Sequence, residues 1–116
     1  MAQAIAETED NARTVQLTCN GSTFEVDLDT KRLRVNRRPV HLGEREQALL
    51  MYLVEFRGVV HSRKQLIQEM HDHDFLDFND GRLTALVNVL RSTLNGSRAG
   101  AGALIQTQPD GYTIDA

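Results

Sequence analysis

Between Asn79 and Leu94 the chain places Leu83, Val87, Leu90 and Leu94 at i, i+4, i+7 and i+11. That is the spacing of a helix with one buried stripe. The opposite side carries Ala85, Asn88 and Ser92, with Val89 beside them and Thr84 and Arg91 on the flank. The outward face is therefore small and almost uncharged, and its role depends on what the rest of the chain builds around it.

Upstream, the runs TVQLTC, STFEVDL, KRLRV and RPVHL alternate with a period of two. Asn20-Gly21, Asp29-Thr30 and Asn36-Arg37 break them, and Asn-Gly is a strong hairpin signal. Four short antiparallel strands follow from this pattern. A helix is expected from about Glu44 to Phe56, buried through Leu49, Leu50, Leu53 and Val54 and ended by Gly58. Val59 and Val60 make a short extended link. Ser62 reads as the N-cap of a second helix, SRKQLIQEM, packing through Leu66, Ile67 and Met70. Residues 71–78 form an acidic, aromatic loop, Asn79 or Asp80 caps the third helix, and Asn95-Gly96 stops it. ALIQT and YTID, flanking Gln108-Pro109-Asp110-Gly111, form a closing hairpin over 103–115. The order of elements predicts an α+β fold: a winged helix-turn-helix with an N-terminal four-stranded antiparallel sheet, three helices and a C-terminal β-hairpin wing. The domain spans 14–116, and residues 1–13 read as a flexible tail or linker.

The 116 residues suffice for one domain with a modest core. No apolar run nears the length of a membrane span and no signal-peptide pattern opens the chain. Cys19 is the single cysteine, so it has no internal disulfide partner and reads as a buried, reduced thiol in a cytoplasmic protein. The net charge of −3 runs against nucleic-acid binding, where phosphates call for Lys and Arg. However, Glu7, Glu9, Asp10 and Arg13 place −2 of it in the first 13 residues, and local patches rather than the total set the field. There is no phosphate-cradling glycine loop, nucleophile elbow or activated-cysteine context, so no enzyme activity and no cofactor are expected.

Several segments, in order, resemble the DNA-binding effector domain of OmpR/PhoB-type and ToxR-like regulators. Leu42-Gly43-Glu44-Arg45-Glu46 with Leu49-Leu50 is similar to the opening of that family's first helix. Gly58-Val59-Val60-His61-Ser62-Arg63 with Leu66 is similar to the entry to its second. Val87-Asn88-Val89-Leu90-Arg91 with Leu94 resembles its recognition helix, and Ile105-Gln106-Thr107 with Gly111-Tyr112 its wing. The likeness covers about residues 22–115. It departs from the family at His71, where a Trp is common, and at Gly81, Thr84 and Leu86, where Arg, Asp and His are common. The wing is also shortened to Gln108-Pro109-Asp110.

The resemblance implies a bacterial regulator whose third helix enters a major groove of double-stranded DNA. Asn88 then matches adenine N6 and N7, and Val89 a thymine methyl. Thr84 and Ser92 lie on or beside the same face. Arg63 and Lys64 at the start of the second helix, with Arg82 and Arg91, are placed for phosphates. Gln108 and Tyr112 fall on the wing. The rival is a winged helix that binds protein as a co-regulator, antagonist or dimerisation module. It draws on the apolar pair Leu86 and Val89, the acidic loop and the negative charge; the alternative for Leu86 is that it widens the buried stripe. The loop, with Phe75, Asp77 and Phe78, suits contact with RNA polymerase, as in the resembling family, or with a basic partner, or else is solvated with both rings tucked into the core. His71, Asp72, His73, Asp74 and Asp77 crowd that loop but lack metal-ligand spacing, so no metal is expected. Lys31, Arg32, Arg34, Arg37 and Arg38 read as a solvated sheet edge that discourages strand pairing. With Glu25, Asp27 and Asp29 on the neighbouring strand, they are alternatively a docking surface for a second copy or another domain. The resemblance places the sheet far from the recognition helix. No membrane contact is expected within the chain.

Overall fold

The computed structural model describes residues 14–115. The segment 1–13, read as a tail, lies outside the described residues. Four strands come first: β1 (Thr14–Cys19), β2 (Ser22–Asp27), β3 (Arg32–Val35) and β4 (Arg38–Val40). They make one antiparallel sheet in the order β1-β2-β3-β4. The β1–β2 and β3–β4 turns each have two residues with positive φ, Asn20 and Gly21 in one and Asn36 and Arg37 in the other. That geometry matches the strand twist. Asn36 steadies its turn by accepting the Thr23 N–H on Oδ1 at 2.9 Å.

One face of this sheet, with Leu17, Phe24, Val26, Leu33 and Val35, is buried. The other pairs Glu25 with Arg34 and Asp27 with Arg32 across β2 and β3. The basic run thus lies largely on a face that already carries carboxylates. Cys19 is half-buried against the core rather than fully enclosed. Ser22 is fully buried, and its Oγ has no hydrogen-bond partner among the described residues.

Three helices follow: α1 (Glu44–Glu55), α2 (Arg63–Asp72) and α3 (Asp80–Ser97). Their apolar stripes meet in one core. Leu49, Leu50, Leu53 and Val54 of α1, Leu66 and Met70 of α2, and Leu83, Val87, Leu90 and Leu94 of α3 are all buried. Between α1 and α2 lies the two-residue strand β5 (His61–Ser62). Ser62 caps α2 with a full capping box: its Oγ accepts the Gln65 N–H at 3.1 Å and Gln65 Oε1 accepts the Ser62 N–H at 3.0 Å. Asn79, not Asp80, caps α3, accepting the Arg82 N–H at 2.9 Å. A single 3₁₀ turn, Ala101–Leu104, leads into β6 (Ile105–Gln108) and β7 (Gly111–Ile114). These strands form the wing, and β5 joins them in the order β5-β7-β6.

Several details depart from the sequence reading. α2 runs two residues into the expected loop, to Asp72. α3 passes through Asn95-Gly96 and ends at Ser97, because Asn95 Oδ1 accepts the Gly102 N–H at 2.7 Å and so serves the next turn instead of stopping the helix. The left-handed residue after α3 is Gly100, at φ 88°. Ala103 and Leu104 belong to the 3₁₀ turn, so the wing's first strand begins at Ile105. The sheet is also nearer to α3 than the resemblance implies, since β4 packs on that helix.

Candidate nucleic-acid interface

The outward side of α3 is assembled from residues the core does not need. Gly81, Ala85, Asn88 and Ser92 are exposed at i, i+4, i+7 and i+11, with Arg82, Thr84 and Val89 beside them. Val89 is 48% exposed, whereas Leu86, three residues before it, is 9% exposed and part of the core cluster. The apolar pair that favoured a protein-binding face therefore does not form: Leu86 widens the buried stripe and Val89 stands alone.

The arginines are placed differently from a row of free cations. Arg63, at the start of α2, reaches across to the start of α3. Its Nε donates to Asp80 Oδ1 at 2.7 Å, and its Nη2 to the Asp80 carbonyl at 2.8 Å and to Thr84 Oγ1 at 2.6 Å. Its Nη1 donates to the Tyr112 hydroxyl on β7 at 2.9 Å. These contacts raise the Arg63 pKa, the Asp80 hydrogen bond foremost. The same bond holds the Asp80 carboxyl below its ordinary range.

Arg91, two turns further along α3, turns toward the wing. Its Nε and Nη2 donate to the Ile105 carbonyl at 3.1 and 2.8 Å, and Nη2 also reaches Thr107 Oγ1 at 2.6 Å. Tyr112 is buried between these partners. The Arg63 and Arg91 guanidinium carbons lie 5.6 and 5.7 Å from its ring centroid, within cation–π range. Arg63, Thr84, Arg91 and Tyr112, expected at the DNA, thus meet in a joint that links α2, α3 and the wing.

The groups left at the surface are fewer. Lys64 is exposed on the first turn of α2, and Gln108 is half-buried beside the exposed Pro109-Asp110 wing tip. Arg82 is exposed, and its Nη1 lies 3.2 Å from Asp77 Oδ2. Asp77 also accepts from Arg45 Nη2 at 2.9 and 3.1 Å, and that hydrogen bond is the first cause of its lowered pKa.

In the α2–α3 loop, Phe78 is buried, and Phe75 is half-buried with the Arg45 guanidinium 5.2 Å from its ring centroid. Leu76 is 74% exposed between them. His71 pairs with the Phe78 carbonyl at 2.9 Å and His73 with Glu69 at 3.0 Å, so the two rings are directed to separate partners. The roles of Asp80 and Thr107 had no sequence signal. Each partner lies 16 or 17 residues away in the chain, outside any helical or strand period.

A helix-turn-helix pair whose second helix is tied to a following hairpin defines a winged-helix domain. The chain belongs to the family described as transcriptional regulatory protein, C terminal, which matches residues 37–114. It is 33% identical over 85 residues to the transcriptional regulatory protein SrrA of Staphylococcus aureus. That match takes in 72% of this chain and 34% of SrrA, so the chain spans about a third of that relative's length. The DNA-binding domain of Escherichia coli CadC superposes with a TM-score of 0.66 at 24% identity, over 78% of this chain and 84% of that one. The response regulator AdeR DNA-binding domain, solved in complex with an intercistronic region, superposes with a TM-score of 0.66 at 20% identity, over 87% and 98% of the two chains. No described helix is long and apolar enough to cross a membrane.

Proposed function

We propose that this domain is a sequence-specific double-stranded DNA-binding module of a cytoplasmic bacterial transcription regulator. It sets α3 in a major groove and the wing on the adjacent backbone. The observation that carries this reading is the joint at Tyr112. Arg63 and Arg91 tie the wing to α2 and α3 while leaving Gly81, Ala85, Asn88 and Ser92 uncovered on the outer side of α3. Such a small-residue face lets a helix backbone approach the groove floor. Family membership supports the same reading, and the complex of AdeR with an intercistronic region supports DNA as the partner.

Lys64 and Arg82 supply few phosphate contacts, so a single domain binds weakly, and a second copy or tandem site raises affinity. The exposed Leu76 among Asp72, Asp74 and Asp77 makes the α2–α3 loop the candidate surface for RNA polymerase. An NMR titration of the domain with mixed-sequence duplex DNA tests the reading. Shifts confined to residues 63–66, 81–92 and 105–112, weakening with salt, are expected. An unchanged spectrum at low salt would refute it.

A further inference from the structure

The same interface also carries a base preference. Resting on the DNA-binding reading above, we infer that the recognition face is built for A·T pairs, reading adenine through Asn88 and a thymine methyl through Val89.

Reading guanine in the major groove calls for a donor fork or ammonium aimed at N7 and O6, which Arg and Lys supply. The arginines and the lysine of α2 and α3 are placed for other contacts. The Arg63 fork is spread over Asp80, Thr84 and Tyr112. Arg91 points into the wing, with its donors on Ile105 and Thr107. Arg82 is exposed beside Asp77, 3.2 Å away, and is the guanidinium of α3 given to a phosphate in the reading above. Lys64 belongs to α2, not to the reading helix.

What remains at the middle of the outward face of α3 is the Asn88 amide, flanked by the methyl groups of Ala85 and Val89 and, one turn on, by the Ser92 hydroxyl. Ala85, Asn88 and Val89 stand at i, i+3 and i+4, neighbours on one helical patch about 5–6 Å apart at Cβ, and all three are exposed. An Asn amide offers both the donor and the acceptor that adenine N7 and N6 need. Val89 is the large apolar side chain that α3 exposes. Water leaves it when it meets a thymine C5 methyl, and Ala85 is small enough to admit that approach. Asn88 and Val89 are consecutive residues, so the two contacts fall on the same or adjacent base pairs.

The test uses the whole 116-residue chain. Selection from a random duplex pool defines the bound core, and each core thymine is then replaced by deoxyuridine, which removes the C5 methyl and keeps base pairing. The expected core has A·T pairs at the α3 positions. One deoxyuridine weakens wild-type binding by about three- to fivefold, the worth of one buried methyl, and leaves Val89→Ala binding unchanged. Asn88→Ala loses the preference for adenine at one position, by about tenfold. A core with G·C at those positions, or wild-type binding indifferent to every deoxyuridine, overturns the inference while leaving DNA binding intact. A pool from which nothing is retained at low salt overturns both.

Discussion

Arg91→Ala separates two roles that a cationic residue on a recognition helix can have. The side chain makes three hydrogen bonds to the wing, two to the Ile105 carbonyl and one to Thr107 Oγ1. It also lies 5.7 Å from the Tyr112 ring centroid. A hydrogen bond from a charged donor contributes about 1.5–3 kcal/mol net, and an accompanying cation–π contact about 0.5–1 kcal/mol. Bonds from one guanidinium share its orientation cost and do not add fully. The expected loss is therefore roughly 2–4 kcal/mol of domain stability. Urea unfolding followed by circular dichroism reads this as a lower midpoint at constant m. Arg91→Lys keeps the charge but not the fork, and is expected to recover less than half of the loss. A phosphate-contacting Arg91 gives the reverse pattern: stability within about 0.5 kcal/mol of wild type, and a salt dependence of DNA binding reduced by about 0.9 in slope. That pattern would refute the assignment of Arg91 to the joint.

Three further perturbations follow from the same geometry. Gly111 pairs with Ser62 where β7 meets β5, and a Cβ there would collide with the His61 carbonyl oxygen; Gly111→Ala should cost about 2 kcal/mol or more, read as a drop in Tm. Ser22→Ala removes a fully buried hydroxyl that has no partner among the described residues, so urea unfolding should show a neutral or stabilising change of up to about 1 kcal/mol. Asp80 has a carboxyl pKa lowered from 3.8 in the folded protein, chiefly by the Arg63 hydrogen bond. Its stabilising contribution is therefore complete above that value and disappears as pH falls through the lowered one. Asp80→Asn should show a flatter decline in urea midpoint than wild type across that acid range, and equal slopes would contradict the pairing.

Much of the architecture was legible because its causes are local. The period-two runs of residues 14–40 and the helical stripes through Leu49–Val54 and Leu83–Leu94 bury the residues their spacing selects. Ser62 caps α2 as its position before the apolar period required. The misread end of α3 shows where local rules stop. Asn95-Gly96 is a plausible terminator in isolation, but Gly102 offers the Asn95 side chain a backbone N–H seven residues on. With that bond made, the helix continues to Ser97 at the modest cost of a glycine in helical conformation. Leu86 had two readings for a similar reason. It sits at the border of the stripe, and only the packed neighbours decide on which side of that border it falls.

The sequence by itself determined the four N-terminal strands, the three helices and the closing hairpin, their order, the buried stripes and the identity of the outward residues Ala85, Asn88 and Val89, since each depends on spacing within one element; β5 and the 3₁₀ turn it did not. Tertiary structure decided what the charges do. Charge is visible in a sequence, but the acceptor a guanidinium finds is not. Arg63 meets Tyr112 across 49 residues and Arg91 meets Ile105 across 14. Once those donors are satisfied within the fold, the middle of the α3 face is left to Asn88, the neighbouring methyl groups of Ala85 and Val89, and Ser92.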